Sequence, residues 1–242
     1  FVACKYGCGT EEELKMADYS INEPRELLDI LNEIEKILKN NQAVIAGEII
    51  SDFEFNHEVF GEGFYFVKLK VSRLSHSSDI IPLLVSERLI DVKQSHIGQF
   101  LEARGQFRSH NKQESDKNRV VLFLFAKEIE MIDSAENRNP NEIFLDGYIC
   151  KEPVYRTTPL GREIADVLLA VNRAYGKSDY IPCICWGRNA RYAGNLTVGS
   201  RIQLRGRIQS REYQKRIGEG KVVDKIAYEV SASQMEYIEE EE

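Results

Sequence analysis

Ser200-Arg-Ile-Gln-Leu-Arg-Gly-Arg-Ile-Gln-Ser-Arg-Glu212 places Ile202, Leu204 and Ile208 at every second position around Gly206, the period of a strand with one buried face. A glycine in the middle of so long a strand allows the sharp coil by which a small sheet closes on itself. Outward from this stretch, Ile143–Cys150, Ile164–Asn172, Tyr180–Trp186 and Ile226–Tyr237 read as four further strands, broken by Gly, Pro, Asn and charged turns. Arg188–Asn195 reads as a short helical or irregular stretch. Five strands of this length suit a small closed barrel.

The chain repeats itself. Residues 43–85 slide onto 143–185 without a gap: Gly47 meets Gly147, Ile49 meets Ile149, Gly61 meets Gly161, and Val67, Leu69, Val71, Arg73 meet Val167, Leu169, Val171, Arg173. Ser78, Asp79, Ile81 and Pro82 meet Ser178, Asp179, Ile181 and Pro182, and Gly105-Gln-Phe-Arg-Ser109 answers Gly206-Arg-Ile-Gln-Ser210. Two copies of one domain therefore account for most of the chain, at residues 42–134 and 142–238, with the polar tract 135–141 as linker. The two copies are expected to form separate sheets on either side of that tract.

From Asn22 to Asn40, Leu27, Leu28, Ile30, Leu31, Ile34, Ile37 and Leu38 recur at helical spacing behind Pro24, which predicts one amphipathic helix whose apolar stripe docks on the following domain. Residues 1–15 read as a leader ahead of a natural start at Met16. The hydrophobic share of 43% and charged share of 29% are those of a globular protein. No apolar run approaches the roughly 20 residues that span a bilayer. Five cysteines suit a reducing compartment. Cys4 and Cys8 stand alone as a spaced pair without the four ligands of a zinc site, and Cys183 and Cys185 read as buried thiols on one strand face.

The net charge of −7 is unevenly spread. Residues 1–41 carry 5 basic and 9 acidic residues, 42–134 carry 11 and 14, and 142–238 carry 15 and 11, a net of +4. The second copy is thus basic inside an acidic chain, which is where a phosphate binder needs its charge.

Residues 143–238 resemble the bacterial single-stranded DNA-binding protein family. The stretches that carry the resemblance are Leu145-Asp-Gly-Tyr148, Tyr155-Arg-Thr-Thr-Pro-Leu-Gly161, Ala165-Asp-Val-Leu-Leu-Ala-Val-Asn-Arg173, Asp179-Tyr-Ile-Pro-Cys-Ile-Cys-Trp-Gly-Arg188 and Gly206-Arg-Ile-Gln-Ser-Arg-Glu-Tyr213. The resemblance implies an OB-fold, hence an all-β chain with one N-terminal helix and two tandem five-stranded OB-fold barrels. It also implies that bases stack on Tyr175, Tyr180, Trp186 and Tyr213. Stacking needs only a π-face and tolerates any base. For Trp186 alone a core position explains the residue as well as stacking does. The interleaved Arg173, Lys177, Arg188, Arg191, Arg205, Arg207, Arg211, Lys215 and Arg216 favour a groove that tracks phosphates.

In the first copy the matching positions are Ser75, Ile80, Ser86 and Lys112, so no stacking platform is expected there. That copy reads as a degenerate domain kept for structure, oligomerisation or partner contact, with Arg104, Arg108 and Lys112 as remaining DNA contacts. Gly176-Lys177-Ser178 imitates the end of a phosphate-binding loop, but Val171 stands where its earlier Gly belongs. The four histidines show no metal spacing, and no Ser or Cys is paired with a base. No catalysis, cofactor or metal is expected.

The function implied is binding of single-stranded DNA without sequence preference in replication, recombination or repair, in the cytoplasm and nucleoid, away from membranes. Replication or repair proteins and a second copy of the chain are the implied protein partners. Alternatives of other classes are an OB-type protein-interaction module and a single-stranded RNA binder. Glu239 to Glu242 supply charge without the family's hydrophobic tip, as a solubilising terminus or as an acidic stretch that competes with DNA for the groove.

Overall fold

The computed structural model describes residues 2–4, 19–73, 75, 77–114, 117–135, 141–174, 176–217 and 221–239. Met16, Cys8, most of the tract 135–141 and the last three glutamates lie outside these. Strands β1 (Val2–Cys4) and β2 (Tyr19–Ile21) pair in parallel, and helix α1 (Glu26–Lys39) follows. Next come β3 (Asn41–Ile49), β4 (Glu54–Val59), β5 (Glu62–Ser72), β6 (Ser78–Ser86), β7 (Phe100–Glu114) and β8 (Lys117–Ile132). After them come β9 (Asn141–Thr157), β10 (Glu163–Arg173), β11 (Lys177–Trp186), helix α2 (Arg188–Ala193), β12 (Arg201–Ile217) and β13 (Lys221–Tyr237). The chain is mostly β, and among the described residues there are two short helices, the second within the stretch 188–195 read as helical or irregular. Among the described residues no helix is long and apolar enough to cross a membrane.

Helix α1 carries Glu26 and Asp29 in its first turn, where negative charge suits the helix dipole. The described leucines of its stripe do not dock as expected: Leu28 is 64% and Leu31 50% exposed.

The strands follow the two-residue period. Ala43, Ile45 and Ile49 on β3, Val67, Leu69 and Val71 on β5, and Leu101, Ala103 and Phe107 on β7 are buried. Leu145 and Ile149 on β9, Val167, Leu169 and Val171 on β10, and Ile202, Leu204 and Ile208 on β12 repeat the pattern. Cys183 and Cys185 sit in this core, where burial pushes both thiols up, Cys185 to about 12. They stay protonated and unreactive at neutral pH.

Pairings among the early strands run in a closed circuit, β3 to β7, β8, β6, β5 and back to β3, with β4 on the outer side of β5. Those of the later strands run from β9 to β12, β13, β11, β10 and back to β9. One long strand, β9, occupies the place of both β3 and β4, so the first half has six strands, five of them in the circuit. The register shift between Arg104 and Gly105 recurs between Arg205 and Gly206. A Cβ on Gly206 would lie 2.2 Å from the Ser231 carbonyl oxygen, and one on Gly105 2.0 Å from that of Phe125. The clash is with backbone, which cannot swing aside, so Gly206→Ala is expected to cost about 1–3 kcal/mol, read as a lower urea midpoint.

The expectation of separate sheets is overturned. Strands β3 and β9 pair antiparallel, Asn41 with Leu145, Ala43 with Ile143 and Ile45 with Asn141, so eleven strands form one sheet. The register is two-fold about Ala43 and Ile143, because equivalent residues lie 100 positions apart. Side chains at the seams repeat the symmetry. Ser210 N donates to Asp79 Oδ1 at 2.6 Å and Ile80 N donates to Ser210 Oγ at 3.0 Å. In reciprocal fashion Ser109 N donates to Asp179 Oδ1 at 2.7 Å and Tyr180 N to Ser109 Oγ at 2.8 Å. Sequence periodicity describes each strand's faces but says nothing of which edge meets which, so this continuity could not be read in advance.

Candidate nucleic-acid interface

Strand β11 sends Asp179, Ile181, Cys183 and Cys185 inward and Tyr180 and Trp186 outward. Tyr180 is 48% and Trp186 38% exposed. They lie six steps apart along the strand, about 20 Å at about 3.3 Å per residue. The indole is held at its edge, where Nε1 donates to Ser231 Oγ at 3.1 Å. That bond fixes the ring while satisfying its only polar atom.

Tyr213 lies toward the far end of the β12–β13 hairpin opposite Lys225, 37% exposed, with the Arg211 guanidinium 6.0 Å from its ring centroid. Three of the four expected stacking aromatics therefore present surface to solvent. Tyr175, and the side chains of Lys112, Lys215 and Arg216, lie outside the described residues.

The cations fall into two groups. Arg207 Nη1 lies 3.2 Å from Asp79, Arg173 Nη1 3.5 Å from Asp179, and Arg211 Nε 3.8 Å from Glu229. Arg191 is held 3.0 Å from Glu163. Lys177, Arg188 and Arg205 make no ion pair among the described residues. Arg205 stands on the outward side of β12 with its guanidinium 4.9 Å over the Phe144 ring. A groove of about 580 Å³ lined by Gln42, Phe144, Arg205, Arg207 and Ser231 opens beside Trp186. It meets a second hollow of about 370 Å³ that shares Phe144, Arg205 and Ser233 and adds Arg188 and Asn189. Phe144, Ser231 and Ser233 were not singled out from sequence, since each is an ordinary residue of a strand until its neighbours are known.

The first copy carries rings away from the positions that match the stacking aromatics. Ser75, Ile80 and Ser86 offer no ring, but β4, β5 and β8 do. His57 stacks on Phe64 at 5.0 Å with planes 8° apart, Phe64 stacks on Phe125 at 6.0 Å, and the Arg108 guanidinium lies 4.3 Å over Phe125. Phe66 meets Phe123 edge-on at 5.4 Å. The signal in sequence was the pair of alternations Phe64-Tyr-Phe66 and Phe123-Leu-Phe125, which put two rings on one face of each strand.

Comparison with known proteins bears on both halves. A model of the single-strand binding protein family matches residues 140–238. The single-stranded DNA-binding protein of Clostridium tetani is 32% identical over 106 residues, 41% of this chain and 70% of the relative. The chain belongs to the single-strand binding protein family.

The family match covers β9 to β13 and leaves β3 to β8 outside it. Single-stranded DNA-binding protein 1 of Staphylococcus aureus is 39% identical over 85 residues, 32% of this chain, and the chain spans about half (51%) of its length. Likeness of fold spans both halves. The single-stranded DNA binding protein from Thermus aquaticus superposes with a TM-score of 0.63, at 18% identity, over 84% of this chain and 94% of that one.

Proposed function

We propose that the chain binds single-stranded DNA without strong sequence preference, and acts as a binding protein rather than an enzyme. The observation that carries this reading is the outward face of β11, where Tyr180 and Trp186 expose their rings, together with a groove holding Arg205 and Arg207 that reaches Ser231, the partner of the Trp186 indole. Bases stack on the rings while the guanidinium groups take phosphates. Tyr213 extends the stacking surface along the hairpin, and Lys177, Arg173, Arg188 and Arg211 complete the cationic rim, with Tyr175 as a fourth stacking position. Membership of the single-strand binding family supports the assignment.

Each circuit of strands is read as an OB-type barrel, at residues 42–134 and 142–238, with 135–141 between them. Shielding single strands during replication, recombination or repair in the cytoplasm is the role that fits such a surface, with replication or repair proteins and a second copy of the chain as partners.

Trp186 is the single tryptophan, so its emission reports on the site alone. Titration with oligothymidylate is expected to quench it, with duplex of equal length giving little change at the same salt. Unchanged emission alongside a polarisation signal for binding would place Trp186 outside the site. Arg205→Ala is expected to lower the slope of log affinity against log salt by about 0.7, the value for one single-strand phosphate contact. An oligouridylate arm in the same titration separates DNA from RNA preference.

A further inference from the structure

The two seams between the strand circuits are related by the two-fold register, yet their charges differ. At one, Arg73 and Arg207 share buried Asp79, and Gln209 stands at the position equivalent to Arg108. At the other, a cavity of about 310 Å³ is lined by Arg108, Lys127, Arg173 and Lys177, with Asp179 as the sole carboxylate among its described lining residues. Asp179 is already engaged, accepting from Ser109 N at 2.7 Å and lying 3.5 Å from Arg173 Nη1.

Two buried side-chain atoms lack a hydrogen-bond partner among the described residues, Arg108 Nε and Asn40 Oδ1. Both residues line this cavity. A buried donor without an acceptor costs free energy, and so does crowding like charges. Burial, and then the Arg173 charge, pull the Arg108 guanidinium below its ordinary value, while burial and then Arg108 do the same to the Lys127 amine. An anion with its hydration water supplies the acceptor for Arg108, a donor for Asn40 and the missing countercharge.

We propose that this seam is an oxyanion site that takes one phosphate group, supplied by the backbone of the bound single strand. The position suits a strand crossing between the circuits. Tyr180 follows Asp179 directly on β11, and Arg108 lies over Phe125 at the end of the His57, Phe64, Phe125 column. The strand as the source of the phosphate rests on the proposed function; the oxyanion site itself does not.

The test uses the full chain without DNA and compares thermal stability in phosphate and in chloride at equal ionic strength, for the wild type and Lys127→Gln. The variant is expected to be more stable than the wild type in chloride, because repulsion with Arg108 is gone. Its half-maximal stabilisation by phosphate is expected at a roughly tenfold higher concentration, the worth of one charge-assisted hydrogen bond. A filler role for Lys127 would not move the two readouts in opposite directions, and the general salting effect of phosphate is common to both proteins.

The second arm measures oligothymidylate affinity against salt, where Lys127→Gln is expected to lower the slope by about 0.7. Equal phosphate stabilisation of the two proteins overturns the site. A phosphate effect that depends on Lys127 with an unchanged DNA slope overturns the strand as its source and leaves free phosphate as the ligand. A phosphate effect that depends on Lys127 in a protein that fails to bind oligothymidylate supports the site and sinks the proposed function instead.

Discussion

Replacing Tyr180, Trp186 and Tyr213 together by alanine is expected to remove most of the affinity for single-stranded DNA while leaving the fold in place. Each stacked base is worth about 1–3 kcal/mol, so each single variant should bind up to about a hundredfold more weakly. The triple variant should lose on the order of 3–9 kcal/mol if the sites act independently. All three side chains are more than one third exposed, and the strands that carry them are held by other residues. The Trp186 bond to Ser231 is the one hydrogen bond of the three rings among those described, at 3.1 Å. Polarisation of a labelled oligothymidylate gives the affinity without needing the lost tryptophan. Alanine at Ser75, Ile80 and Ser86 gives the matched control, with little change expected. A loss below about fivefold in the triple variant, about 1 kcal/mol in all, would mean that the bases lie elsewhere.

Asp79→Ala is expected to be the most damaging single substitution for stability. The carboxylate is fully buried, accepts from Arg73 Nε at 2.7 Å, Arg207 Nη1 at 3.2 Å and Ser210 N at 2.6 Å, and joins strands from both circuits. Truncation leaves two guanidinium groups and a backbone donor without their acceptor, a loss of about 3–5 kcal/mol. Asp79→Asn keeps an acceptor for Ser210 N and should lose less. A urea titration reads both, and near-wild-type stability of Asp79→Ala would show that water replaces the carboxylate at this seam.

Much of the fold could be read from the chain because its information is local. The alternation around Gly206 and the offset of 100 residues between matching motifs located β9 to β13 and their earlier counterparts. Tyr180 and Trp186 could be placed on one face because they lie an even number of residues apart on a strand. Partnership across distance could not be seen. Arg207 and its carboxylate partner Asp79 lie 128 positions apart, so no local reading of the chain pairs them. The aromatic column of the first half escaped notice for a related reason. Rings at Phe64 and Phe125 become one surface only when β5 and β8 are folded side by side, whereas a position-by-position comparison with the second half looks at Ser86 and finds no ring.

The two-fold register of β3 against β9 has a bearing on dilution and on inheritance. Two separate chains joined by such a register come apart when their concentration falls, and any codon change appears on both sides of the axis at once. Here both sides of the axis are on one polypeptide, so the pairing of Ala43 with Ile143 is independent of protein concentration. Each side is also encoded separately. A gene in this form can keep Trp186 on one side while the other carries Ser86, and can neutralise one seam while leaving its counterpart cationic, a division of labour closed to a symmetric pair of identical chains.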